Sequence, residues 1–150
     1  MFVYRIGKTA FINDLEGVGA KLYGGRWNHM GIPCIYTSES RALAVLEYLV
    51  NVTIQHIPKE LSIATIEIDE KQLEIPLVKS LPQEWQTIPA PYSTKNFGTE
   101  ILKRGVPGIK IPSAVIHQEF NYIINPLAGN DFFKLMDVQD FVYDVRLGRG

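Results

Sequence analysis

One cysteine, Cys34, stands alone in 150 residues. It can form no internal disulfide, and a chain built this way suits a reducing compartment. A surplus of either charge is also missing: 15 Lys and Arg face 16 Asp and Glu, for a formal net charge of −1. Without a basic excess the chain has no general hold on phosphate backbones, so no direct nucleic-acid partner is expected. No apolar run approaches the roughly 20 residues that span a bilayer. The opening Met1-Phe2-Val3-Tyr4-Arg5 has no basic stretch ahead of an apolar one. The expectation is a cytoplasmic protein with no membrane partner.

Several kinds of chemistry lack their signatures. His29, His56 and His117 do not fall at metal-ligand spacing, and no cysteine or carboxylate cluster joins them, so neither a metal nor a prosthetic group is expected. Gly17-Val18-Gly19 opens like a dinucleotide fingerprint, but Leu22 stands where the third glycine belongs and the preceding segment is a poor strand. Ser113 and His117, four apart on an expected strand, would lie about 13 Å from each other. That is too far for a nucleophile and its base. Cys34 follows Pro33 in an apolar run and reads as a small core residue.

What is present is an ordinary globular composition, 46% hydrophobic and 21% charged, long enough to bury a core as a single domain over 1–150. Strands are expected at 2–6, 32–37, 63–68, 109–116 and 120–124, with a closing pair at 133–138 and 141–145. Helices are expected at 40–50, behind the cap candidates of Thr37-Ser38-Glu39-Ser40, and at 96–104. Residues 7–25 read as a glycine-rich connection. Residues 76–96 carry four prolines and read as an irregular surface excursion, with a helical turn near Trp85. Strands and helices mix without regular alternation, which indicates an α+β fold.

Two features carry the chemistry. The first is Gly24-Gly25-Arg26-Trp27-Asn28. The glycines permit a close approach or a positive φ. The arginine offers a planar fork of donors for a carboxylate or phosphate, the tryptophan a stacking face, and the asparagine an amide for a polar edge. The run suits a nucleotide pocket, and equally a tight turn beside a structural salt bridge. The second is Glu47, the one charge in the otherwise apolar Ala42–Val50. A helix apolar all round is a buried helix, and a buried glutamate needs a partner. Glu47 therefore pairs with Arg5, Arg26 or Arg41, sits on a helix face that reaches water, or faces a cavity.

Together an arginine and a glutamate suit cleavage of NAD+. Arg26 would bind the pyrophosphate. Nicotinamide leaves as a neutral molecule, so no general acid is required. The ribose develops oxocarbenium character that a fixed carboxylate, Glu47, would stabilise. Trp27 or Tyr36 would hold the flat ring.

These residues resemble the RES domain, the toxin half of bacterial RES–Xre toxin–antitoxin pairs. The arginine, glutamate and serine that name that domain match Arg26, Glu47 and Ser113, the last in Ile-Pro-Ser-Ala-Val. Val3-Tyr4-Arg5-Ile6, Gly31, Ile35-Tyr36-Thr37, Asn121-Tyr122-Ile123-Ile124-Asn125-Pro126 and Asp144-Val145-Arg146-Leu147 follow in the same order. The resemblance implies an ADP-ribosyltransferase-like split, twisted β-sheet with helices around it. It implies a toxin that consumes NAD+ as substrate by hydrolysis or phosphorolysis, with protein ADP-ribosylation as the alternative. It also implies an Xre-type antitoxin that covers the pocket and binds DNA itself. Carried over, Arg26 grips the phosphates and Glu47 stabilises the ribosyl cation or orients the nucleophile. Ser113 bonds the nicotinamide ribose or positions Glu47. Tyr36 stacks on or hydrogen-bonds the nicotinamide, and Arg5, Trp27 and Asn121 complete the pocket. Arginine-modifying transferases often carry a second carboxylate two residues before the catalytic one. Val45 stands there, which argues against arginine as acceptor.

Overall fold

The computed structural model describes residues 1–52, 56–129 and 131–148; the remaining positions of the expected 1–150 domain lie outside them. Seven strands form one sheet: β1 (Phe2–Lys8), β2 (Ile35–Ser38), β3 (Leu61–Ile68), β4 (Leu73–Glu74), β5 (Gly108–Pro112), β6 (Phe120–Ile124) and β7 (Phe133–Phe141). Their order is β4-β5-β6-β2-β1-β3-β7. Only β4 and β5 run parallel. Among the described residues three α-helices accompany them: α1 (Val18–Tyr23), α2 (Arg41–Val50) and α3 (Tyr92–Lys103). The class is α+β, as expected.

The sheet is split. β1 pairs with β3 at every residue from Phe2 to Lys8, and β2 pairs with β6 along its whole length. Between β1 and β2 the register holds one pair, Tyr4↔Ser38. Beyond it the two halves diverge.

Side-chain alternation decides what covers each half. Val3, Ile35, Ile66, Ile68, Tyr122 and Ile124 form one core with Phe132 on one face. On the other face, Ile109, Ile111 and Ile123 pack with Ile101 and Leu102 of α3 and with Trp27 and Trp85. Ile6 and Ile63 pack with Ala44 of α2. α2 and α3 thus each cover one half-sheet, and the ground between them lies over the split.

Several expected elements differ. Residues 7–25 contain α1, capped by Gly17; ahead of it the Asp14 carboxylate accepts from Glu16 N and Val18 N at 2.8 Å each. The strand placed at 109–116 stops at Pro112, so Ser113 and His117 do not share a strand. Of the expected closing pair only one strand forms, β7, which runs along β3 with a register shift at Thr65/Ile66 and ends at Phe141; residues 142–145 are not strand. The helix placed at 96–104 begins at Tyr92, directly after Pro91. The 76–96 segment is more than surface, because Leu81, Trp85 and Thr94 are buried. In α2 only Leu43 and Ala44 are buried, and Leu46 and Val50 are exposed. That helix lies on the sheet by one face, and its outer apolar residues meet solvent.

Candidate active site

The glycine-rich run forms a tight turn. Gly25 and Asn28 close it as an isolated bridge, Gly25 N donating to Asn28 O at 3.1 Å. Tyr36 on β2 locks it from below. Its hydroxyl donates to Asn28 Oδ1 at 2.6 Å and accepts from Trp27 N at 3.0 Å. A Cβ at position 25 would stand 2.7 Å from that hydroxyl, so only glycine lets the phenol reach under the turn. Burial first, and then Cys34 beside it, hold the Tyr36 phenol well above its ordinary pKa, which keeps it a neutral donor. α3 presses from the other side. A Cβ at Gly98 would overlap the Trp27 carbonyl, and Thr99 Oγ1 accepts from His29 N at 3.0 Å.

This packing reassigns two residues of the run. Asn28 is fully buried, and its amide donates to the carbonyls of Ala20, Ile32 and His29. It ties the loop together and leaves no polar edge for a ligand. Trp27 is 3% exposed and packs at 6.0 Å from both Trp85 and Phe97. It anchors the turn in the core and does not offer the stacking platform expected of it.

Arg26 points away from that core. Its Nη1 donates to Trp85 O at 2.7 Å and to Thr87 O at 2.9 Å. Its other nitrogens make no hydrogen bond to a described residue. Burial lowers the guanidinium pKa, opposed by the Glu47 carboxylate and then by Tyr36, and the group remains a cation.

Glu47 is held from two strand ends. Ser113 Oγ and Asn121 Nδ2 both donate to its Oε1, each at 2.6 Å. No described residue donates to Oε2, and none forms an ion pair with this carboxylate. The expected structural partners are engaged elsewhere. Arg5 donates to Asp14 O at 2.8 Å and Phe11 O at 3.4 Å, and Arg41 lies over the Tyr4 ring. Ser113 is fully buried, and its oxygen also accepts from Val115 N and Ile116 N at 3.0 Å each. One donation and two acceptances exhaust a hydroxyl. Ser113 therefore serves Glu47 and has nothing left for a ribose.

A cavity of about 990 Å³ runs over the split and joins these parts. Arg5, Arg26, Trp27, Tyr36, Glu47 and Asn121 line it, Trp27 by the little of it that is exposed, together with Ser38 and Lys95. Ser38 was legible only as a cap candidate, and Lys95 carried no signal at all. Gly98 carried a weak one: a glycine inside a helical pattern costs about 1 kcal/mol against alanine and so asks for a packing reason. Among the described residues no group of three His, Cys, Asp or Glu is placed to hold a metal, and no helix is long and apolar enough to cross a membrane.

A family model described as the RES domain matches residues 2–146. The chain belongs to the RES domain family. This RES domain is 36% identical over 152 residues to a protein named Toxin Res from Photorhabdus laumondii subsp. laumondii, with 98% of this chain and 97% of that one covered. It is 32% identical over 147 residues to a Prs ADP-ribosylating toxin from Sphingobium sp., at 95% and 91% coverage. Among solved structures it matches a chain of the M. tuberculosis MbcT-MbcA toxin-antitoxin complex. The TM-score is 0.75 at 17% identity, with 98% of this chain and 86% of that one covered. At that identity the match speaks for the fold. The split, seven-stranded α+β sheet is the fold this chain shares with that one.

Proposed function

We propose that this RES domain is the toxin of a toxin–antitoxin pair and that it cleaves NAD+ at the nicotinamide–ribose bond. The observation that carries the reading is the pairing, across one cavity, of a doubly anchored carboxylate with an arginine whose fork is half free. Three cations, Arg5, Arg26 and Lys95, line that cavity against one carboxylate, Glu47. This balance suits a ligand bearing two phosphate charges and one developing positive centre.

In this reading Arg26 and its neighbouring cations take the pyrophosphate. The Tyr36 ring, half-buried in the cavity wall, faces the nicotinamide. Its hydroxyl is committed to Asn28 and Trp27, so it acts by its ring. As the glycosidic bond breaks, its electron pair leaves with nicotinamide, which departs neutral. Positive charge grows on the ribose and meets Glu47. With Oε1 occupied by Ser113 and Asn121, Oε2 is the oxygen that faces the cation or the incoming nucleophile. Water gives ADP-ribose and a proton; phosphate gives the phosphorylated sugar. The partner fitting this assignment is an Xre-type antitoxin seated over the cavity.

The name of the Sphingobium relative favours a second reading, transfer of ADP-ribose to a protein side chain from the same pocket. The test is release of nicotinamide from NAD+ by the purified protein, with and without phosphate and with Glu47→Gln as control. Release that depends on Glu47 supports cleavage, and its phosphate dependence names the acceptor. Release only when a target protein is added would move the assignment to transfer. Undiminished release by Glu47→Gln would refute both.

A further inference from the structure

We propose that Ser38 is a positioning residue that sets the orientation of the Glu47 carboxylate through Asn121. The kinetic part of this inference rests on the NAD+-cleaving reading; the geometric part does not.

Ser38 is 3% exposed and lies at the end of β2. Its hydroxyl donates to Asn121 Oδ1 at 2.7 Å, and Asn121 Nδ2 donates onward to Glu47 Oε1. The direction of this relay follows from its end. A carboxylate only accepts, so the amide must turn its NH₂ toward Glu47 and its oxygen toward Ser38. That oxygen then needs a donor, and the Ser38 hydroxyl is the one supplied.

The register explains why the relay is straight. Ser38 and Asn121 are direct cross-strand partners on β2 and β6, so their side chains share a face. It is the face that also presents Tyr36, two residues earlier. The neighbouring Thr37 turns to the opposite side, where its hydroxyl donates to Tyr122 O at 2.7 Å.

Glu47 needs the second anchor. It reaches across from α2 on a side chain with three rotatable bonds. A single bond from Ser113 leaves the carboxylate free to swing about that contact. The Asn121 bond fixes its plane, but an asparagine amide is itself a loose two-fold rotor. Ser38 removes that freedom. Among the described residues, the backbone of Ser38 also makes the one pair between β1 and β2, opposite Tyr4. The residue that joins the walls of the cleft therefore also aims the carboxylate inside it.

The test uses Ser38→Ala and Ser38→Thr in the full chain, with two readouts. The first is the side-chain amide signals of Asn121 by ¹⁵N NMR, with their hydrogen exchange. The second is kcat and KM for nicotinamide release. In the wild type the Asn121 amide protons should be dispersed and slow to exchange. Ser38→Ala should collapse that signature and lower kcat between about tenfold and a hundredfold, the scale of a misplaced catalytic group, with KM little changed. Ser38→Thr keeps the hydroxyl and should restore both. If Ser38→Ala does not fold, Ser38→Cys carries the same test, since its thiol keeps the volume and donates weakly. An unchanged Asn121 signature in a folded Ser38→Ala overturns the proposal, as does wild-type kcat or a Ser38→Thr that restores neither readout. A wild type that releases no nicotinamide would sink the activity reading, and the amide signature would still decide the relay.

Discussion

Ser113 Oγ stands 2.6 Å from Glu47 Oε1, joining the loop after β5 to the middle of α2. The same oxygen accepts from Val115 N and Ile116 N, so one atom shapes the loop and holds the carboxylate. Ser113→Ala should therefore leave a site both loosened and unpaired. The expected cost is about 1–3 kcal/mol, typical of buried groups left without a partner, read as a lower urea midpoint. Nicotinamide release should fall at least tenfold, while NAD+ affinity by calorimetry holds. A variant as stable and as active as the wild type would show that this bond adds nothing.

Arg26 divides its fork between protein and cavity. Nη1 carries the carbonyls of Trp85 and Thr87, which leaves Nε and Nη2 for a ligand. A lysine keeps the charge on a single nitrogen and has no fork. Arg26→Lys should raise KM for NAD+ by about tenfold or more, the loss of a bidentate charge-assisted contact. It should also speed amide exchange across residues 85–90. An unchanged KM would remove Arg26 from phosphate binding. Normal exchange would mean that the two carbonyl bonds do not hold the segment.

Much of this arrangement was legible because it follows local rules. Ser40 caps α2 through Leu43 N at 3.0 Å, as the polar run before an apolar helix announces. The isolated charge of Glu47 left an ion pair or a cavity open; Glu47 lines a cavity and forms no ion pair with a described residue. Where the reading failed, contacts distant in sequence decided. Nothing near Trp27 reveals that Trp85, 58 positions later, packs against it, so its ring looked available to a ligand. Asn28 looked free for another reason: its partners Ala20, His29, Ile32 and Tyr36 are near in sequence, but only the folded turn brings them to its amide. The prolines of 76–96 suggested exposure. They break regular structure, yet they do not keep Leu81 and Trp85 out of the core. The run of apolar residues in α2 overstated burial, because periodicity cannot say which outer residues a small domain leaves uncovered.

Gly98 sets the height of α3 above the turn. Its missing side chain lets the helix backbone touch the Trp27 carbonyl. Gly98→Ala would improve helix propensity by about 1 kcal/mol in an open helix. Here the added methyl meets backbone that cannot turn aside. The net effect should be destabilising by about 1–3 kcal/mol, the scale of an overpacked core. Because the turn carries Arg26, KM for NAD+ should rise as well. Thermal unfolding and steady-state kinetics on one preparation check both. A higher melting temperature would show that α3 stands off far enough to admit the methyl.

Tyr36 makes stability depend on alkaline pH. In the unfolded chain its phenol ionises near pH 10, as in a free tyrosine. In the folded chain burial holds its pKa well above that. Between these values the folded state keeps a proton that the unfolded state has released, so stability falls as pH rises. Below about pH 10 the contribution is complete. Cys34, raised to about 12 by burial, adds a loss of the same sign from lower pH, so the Tyr36 share must be read as a difference. Tyr36→Phe should cost about 1–3 kcal/mol at neutral pH, because Asn28 Oδ1 and Trp27 N lose their partner. The gap between the two proteins should then narrow as pH climbs past 10. Urea denaturation of both at pH 7, 9 and 10.5 measures it. A gap that stays constant across that range would mean that the phenol ionises in the folded protein as freely as in water, and that the bond beneath the Arg26 turn is not sealed.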